Sequence, residues 1–359
     1  MPALFDPVTF AHGPAMPNRF MLAPLTNQQS HADGTLSDAE HHWLTMRAQG
    51  GFGLTMTCAA HVQAVGQGFA GQLGVFGDQH LAGLTRLAGD LNATGTVSYM
   101  QLHHAGNRSP AALIGTQPVC PSDDPDTGAR ALTTAEVEQV VADFVAAARR
   151  AERAGFHGVE LHGAHGYLIC QFLSAELNHR TDHYGGSLAN RSRLLFEIVD
   201  GIRAECGPQF ALAVRLSPER FGMVLDEIRT VFEQLCADGR VDLLDMSLWD
   251  CFKEPVDEAH QGRSLAEIVA SWDRGPTTRL GVAGKLHDPA DVQRIVDAGI
   301  DVAVLGRVAI LHHDYPRQVQ ADPGFVPRRA PVPREVLLGE GVSPSFVDYL
   351  AGTFRFVAD

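Results

Sequence analysis

Six cysteines, at positions 58, 120, 170, 206, 236 and 251, are scattered along the 359 residues, and no two stand as CxxC. That scatter excludes a small disulfide framework and fits reduced thiols in a cytoplasmic protein. Long apolar runs are absent: none approaches the roughly 20 residues that span a bilayer. Met1-Pro2-Ala3-Leu4-Phe5-Asp6 lacks the basic and apolar regions of a signal peptide. Positive charge is scarce. Lys and Arg number 28 against 42 Asp and Glu, a net charge of -14, which argues against nucleic acid or an anionic membrane as partner. No GxGxxG follows the first apolar run, so an open dinucleotide-binding sheet is disfavoured. What remains is 45% hydrophobic and 19% charged, a soluble globular chain with ample core.

Short apolar runs recur along that chain. They lie at 19–25, 52–60, 96–102, 158–162, 211–216, 241–247, 280–284 and 301–305, and each reads as a buried strand. Helical patterns follow them. Ser37 with Glu40, and Thr133 with Glu136, have capping-box spacing. Val137, Val140, Val141, Phe144, Val145 and Ala148 repeat at helical intervals up to Gly155. Further helices are expected near 79–93, 189–205, 224–238 and 264–271, from Asp288-Pro289 to Gly299, and from about 308. Eight buried strands alternating with helices predict an α/β fold, a (β/α)8 TIM barrel. The expected domain is 1–321. A C-terminal extension, 322–359, opens with Pro323, Pro327, Pro331 and Pro333. Residues 105–132, rich in Gly, Pro, Ser and Asp, are too long for an ordinary connection and read as a lid or insertion.

Active sites of this fold lie at the C-terminal ends of the strands. The stretch Gly158-Val159-Glu160-Leu161-His162-Gly163-Ala164-His165-Gly166-Tyr167-Leu168 ends the fourth strand. Two imidazoles three apart on one helical turn would share a side and grip one ligand oxygen. Tyr167 adds a hydroxyl that donates and accepts. The plain alternative, histidines capping loop carbonyls, is weakened by the long polar loop that follows, through Asn178-His179-Arg180-Thr181-Asp182-His183-Tyr184-Gly185-Gly186-Ser187. The other strand ends carry Pro24-Leu25-Thr26, Cys58-Ala59, Gln101 with His103, Arg215, Ser247 with Trp249, Gly284, and Gly306-Arg307. The glycines and arginine after the seventh and eighth strands suit a phosphate. Gln101 suits an amide-like edge, and Arg215 places a fixed positive charge in the mouth. Together they predict a planar, phosphate-bearing cofactor lying across the barrel.

At these residues the sequence resembles the Old Yellow Enzyme family, from about Asn18 to Pro316. The most specific part is His162 to Leu168, then Gln171-Phe172-Leu173-Ser174, the polar loop above, and Asn190-Arg191. The resemblance implies a non-covalent FMN, its pyrimidine edge on Gln101 and Arg215, and its O4/N5 side near Pro24, Leu25, Thr26 and Ala59. Its phosphate would lie by Gly284, Gly306 and Arg307. His162 and His165 would hold an enone oxygen beside the flavin, and Tyr167 would donate the proton that completes reduction of the C=C bond by hydride from flavin N5. NADH or NADPH would be the reductant, and a homo-oligomer is compatible with all of this. Thr26 stands where one branch has Cys, and 335–359 match no pattern of the family. The cysteine cluster of the larger iron–sulfur relatives is missing. Alternatives are a flavin reductase of dienoyl thioesters or nitro compounds, and a metal-dependent barrel hydrolase. No metal ligands are expected: the first strand ends in Pro-Leu-Thr instead of HxH.

Overall fold

The computed structural model describes residues 3–237, 239–322 and 324–358. The expected helix end at 238 and Pro323 fall outside them, as do Met1, Pro2 and Asp359. Eight parallel strands close into a barrel in chain order. They are β1 Phe20–Leu22, β2 Leu54–His61, β3 Val97–His103, β4 Gly158–Gly163, β5 Ala211–Leu216, β6 Leu243–Ser247, β7 Arg279–Ala283 and β8 Val302–Leu305, and β8 pairs back onto β1. Every residue of β2 to β5 is buried. Strands enclosed by helices outside and side chains inside have no solvent face, which is why their sequences run apolar without alternation.

The helices that cover them are Asp38–Gln49, Leu81–Asn92, Thr134–Ala154, Leu188–Glu205, Leu225–Cys236, Leu265–Ala270, Pro289–Asp297 and the short Arg307–Leu311. Capping boxes close at Thr133–Glu136, Ser264–Glu267 and Asp288–Asp291. The expected box at Ser37 is only half made. Ser37 accepts from the Glu40 amide, but the Glu40 carboxylate turns inward and takes hydrogen bonds from Asn27 Nδ2, at 3.1 Å, and Ser30 Oγ. A cap became an anchor for the loop after β1.

Two cores result. The larger lies between strands and helices, and the smaller fills the lower barrel with Met21, Leu54, Met56, Val97, Tyr99, Leu243, Val302 and Val304. An N-terminal hairpin, bridged antiparallel at Val8 and Met16, plugs the bottom beneath them. His12 bonds Asp242 just ahead of β6, and Arg279 Nε donates to the Thr9 carbonyl at 2.7 Å. Ligand access is therefore from the top.

One irregularity matters there. Between Met56 and Ala59, β2 carries one residue more than β3, so Ala59 pairs Gln101 where an even ladder would have placed Cys58. The bulge brings the small Ala59 to the mouth and leaves Cys58 buried. Residues 105–132 fold as an insertion with a short helical turn, Ala111–Ile114, and a two-stranded ladder, Val119–Cys120 on Arg130–Ala131. None of them stands in the lining of the cavity at the mouth, although Arg108 reaches the Tyr167 ring beside it. Beyond the barrel, helices Arg334–Gly339 and Pro344–Phe354 follow. Among the described residues no helix is long and apolar enough to cross a membrane.

Candidate active site at the barrel mouth

A cavity of about 570 Å³ opens at the C-terminal ends of the strands. Pro24, Leu25, Thr26, Ala59, Gln101, His162, His165, Tyr167, Arg215, Gly284, Gly306 and Arg307 all line it, together with Ser247 and Trp249. Residues from opposite ends of the chain meet because a closed barrel gathers all its strand ends in one ring. His103 stands one layer back, against the Tyr167 ring at 4.3 Å between centroids.

The two histidines meet differently from expectation. β4 runs on through Gly163, so His162 sits on the strand and there is no helical turn between the imidazoles. His165 and Gly166 take left-handed backbone, φ 60° and 72°, and this reversal brings the second ring back toward the first. Their centroids lie 5.0 Å apart at 81°. The Ala164 amide donates to His162 Nδ1 at 3.3 Å, which leaves the proton on Nε2, a donor facing the cavity. His165 Nε2 shares a 2.7 Å hydrogen bond with Ser247 Oγ. Burial, then His165 and His103 nearby, pushes His162 well below its ordinary value. Burial and then the Arg215 charge hold His165 down at about 3. Both rings are neutral at physiological pH and offer N–H dipoles without a cation.

Tyr167 is boxed in. His103 and His162 meet its ring edge-on, and the Arg108 guanidinium lies 4.7 Å from its centroid while donating to the His165 carbonyl at 2.5 Å. Gln171, on the short helix Leu168–Leu173, donates to the Gly166 carbonyl at 2.8 Å and fixes the turn from below.

On β3, beside β4, Gln101 Nε2 donates to Glu160 at 2.7 Å and keeps its carbonyl oxygen for the cavity side. Arg215 is almost fully buried, and its ion pair to Asp245 uses Nε, so the terminal nitrogens remain for a ligand. Arg307 is exposed at the far end of the cavity and makes no ion pair or side-chain hydrogen bond among the described residues. At Gly284 the missing side chain makes room for protein: a Cβ there would come within 2.9 Å of the Asp250 and Cys251 amides. Among the described residues no group of three or more His, Cys, Asp or Glu is arranged to hold a metal ion.

Sequence reasoning missed the wall of the cavity. Phe346, Tyr349, Leu350 and Phe354 on the last helix, with Phe356 behind it, join Phe69 as apolar lining. The last helix is tied down where the Ser343 amide donates to Gln29 Oε1 at 3.4 Å, in the loop after β1.

The family model described as NADH:flavin oxidoreductase / NADH oxidase matches residues 3–323. The chain belongs to this family. A probable NADH-dependent flavin oxidoreductase of Bacillus subtilis (strain 168) is 35% identical over 88% of this chain and 87% of its own length. An NADH oxidase of Thermoanaerobacter brockii is 33% identical over 84% of this chain, which spans only 48% of that longer protein. Among solved structures, an Old Yellow Enzyme homologue from Zymomonas mobilis superposes with a TM-score of 0.81, at 28% identity, covering 97% and 99% of the two chains. Morphinone reductase in complex with tetrahydroNAD gives 0.80 at 27%, covering 97% of each.

This family member is therefore an NAD(P)H-dependent oxidoreductase of the Old Yellow Enzyme type, a (β/α)8 barrel whose flavin is FMN. The cavity fits that group. It offers a buried cation and an amide at one edge, Arg307 at the other end and small residues, Ala23, Ala59 and Ala283, between them.

Proposed function

We propose that the protein reduces the C=C bond of α,β-unsaturated carbonyl compounds, with His162 and His165 holding the carbonyl oxygen and Tyr167 giving the proton. The observation that carries this is the convergence of two neutral imidazoles and one phenol on a single wall of the cavity, with Gln101 and Arg215 on the strands to either side. Two N–H donors aimed at one oxygen stabilise the negative charge that develops there and draw electron density from the alkene. His162 presents Nε2–H directly. His165 must exchange its Ser247 contact for the ligand, or donate through its other nitrogen. Tyr167 stands beside both and delivers its proton to the α-carbon.

Gln101 and Arg215 are assigned to the pyrimidine edge of FMN. Pro24, Leu25, Thr26 and Ala59 lie along its O4/N5 side, and Gly306 and Arg307 by its phosphate with Gly284 behind. Bound FMN supplies the hydride chemistry, recharged by NADH or NADPH. Residues 1–321 act as the barrel domain in this scheme, and 322–359 as an extension that shapes the entrance.

The test uses a phenol as a stand-in for the enone. The purified protein should release FMN on denaturation. With FMN bound it should take a phenolate onto His162 and His165 and show a long-wavelength charge-transfer band. Replacing both histidines by Ala should abolish that band while FMN stays bound. Retention of the band would place the oxyanion site elsewhere.

A further inference from the structure

The barrel interior just below Gln101 and Arg215 holds charge where the fold would ordinarily place apolar side chains. Strand residues alternate, so Glu160 on β4 and Asp245 on β6 point inward. The register puts Glu160 level with Ala213, and Asp245 level with Gly281. Those neighbours are small, while on the other side Glu160 pairs with Gln101 and Asp245 with Arg215. Both are fully buried. Glu160 accepts one hydrogen bond, from Gln101, and its Oε2 has no partner among the described residues. Neither oxygen of Asp245 has one there, since its 3.1 Å contact with Arg215 Nε is off the hydrogen-bonding line.

Two ionised carboxylates beside one guanidinium would leave a net negative charge in a dry core, with three acceptor oxygens unsatisfied. That arrangement is costly. A single proton removes the excess charge, because two carboxyls buried beside one guanidinium cannot both stay ionised without leaving a charge uncompensated. We propose that Glu160 and Asp245 share one proton and act as a positioning pair. It fixes Gln101 and Arg215 from beneath and keeps the layer under the pyrimidine edge of FMN at zero net charge. The proposal rests on FMN lying as assigned above.

Burial and then Asp245 raise the Glu160 carboxyl, and burial raises that of Asp245. Arg215 from β5 pulls both the other way, and Gln101 from β3 does so for Glu160. Among the described residues the other titratable groups near this layer are Tyr99, below on β3, His162, above on β4, and Cys251 beyond β6, whose thiol feels Asp245. With the proton present, the pair and Arg215 together are neutral. Once it is lost at alkaline pH, they carry one negative charge beneath the flavin, and added electrons are less welcome. Reduction by two electrons therefore draws up to one extra proton from solvent onto the pair, in the pH range where the oxidised protein has begun to lose it.

The midpoint potential of the FMN-loaded protein, equilibrated with a reference dye from about pH 6 to about pH 9, reads this directly. The native protein should gain up to one additional proton per two electrons on the alkaline side. Glu160→Gln keeps a donor toward Asp245 and should lose that extra dependence while retaining FMN; Asp245→Asn should do the same. An unchanged pH profile in Glu160→Gln overturns the proposal and leaves the assigned reaction standing. The infrared spectrum of the flavin-free protein gives a second reading, valid even if FMN failed to bind. A protonated-carboxyl stretch should be present at neutral pH in a Glu40→Gln background, which removes the other carboxyl raised by burial, and vanish when Glu160→Gln is added. Its absence from that background would also overturn the shared proton.

Discussion

The Tyr167 ring is packed between two imidazole edges and the Arg108 guanidinium. If its proton completes the reaction, Tyr167→Phe should leave flavin reduction by NAD(P)H intact. Reoxidation by a weakly activated enone should slow by roughly 10²–10⁴, the ordinary worth of a positioned general acid. Rapid mixing separates the two halves. Slowing confined to the reductive half would move the acid role to another residue. That His162, His165 and Tyr167 share one wall is legible from their spacing, but the route by which they meet is not. The spacing suggests a helical turn, whereas a left-handed His165, at φ 60°, reverses the chain. A non-glycine residue in that region is uncommon, and nothing in one sequence marks it.

The last helix is the element whose role sequence reasoning leaves open. Its start is legible in principle: Ser343 caps, Pro344 holds the first position, and Phe346, Val347 and Leu350 fall on one face. Where that face docks is not, because the strand-end pattern that locates a barrel mouth says nothing of what covers it. Phe346 is fully buried and meets Trp43 edge-on at 5.1 Å. Phe346→Ala should cost about 3–5 kcal/mol, the usual range for a buried Phe, seen as a lower urea midpoint with unchanged slope. A chain ended after Val342 loses the part of the apolar wall that the last helix and Phe356 supply. It should release FMN faster on dilution, followed by recovery of flavin fluorescence, and an unchanged release rate would make the wall irrelevant to the cofactor. The half-made cap at Ser37 teaches the same lesson. Capping-box spacing predicts a local partner, but Glu40 found Asn27 and Ser30 because burial offered it better-protected donors.

At the scale of the molecule the eight-strand count is the most legible feature, since continuous apolar runs between amphipathic stretches mark parallel strands covered on both faces. The burial it imposes has a cost on acidification. Nine histidines, 61, 80, 103, 104, 157, 162, 165, 287 and 312, are held below their ordinary value, chiefly by burial. They stay neutral when folded and take up protons when unfolded, so stability should fall as pH drops from about 6.5 to about 5. The raised carboxyl of Glu40 and the one proton held by Glu160 and Asp245 act in the opposite sense over that range, but they are two against nine. Depressed acids such as Glu136 and Glu340, both at about 2, contribute their loss only below about pH 5. Urea midpoints measured across the interval check the sign, and a flat profile would contradict it. The closure that brings β8 back to β1 also orders events in time. Thr9, His12 and Arg19 bond to Arg279, Asp242 and Asp301, partners that follow them by 230 to 282 residues. At a synthesis rate of about 5–20 residues per second, the head of the chain waits roughly ten to sixty seconds for its place. Until then Val8, Phe10, Met16 and Met21 have no barrel to enter, so damage to the hairpin should show in the yield of folded protein, far from the mouth where the chemistry is done.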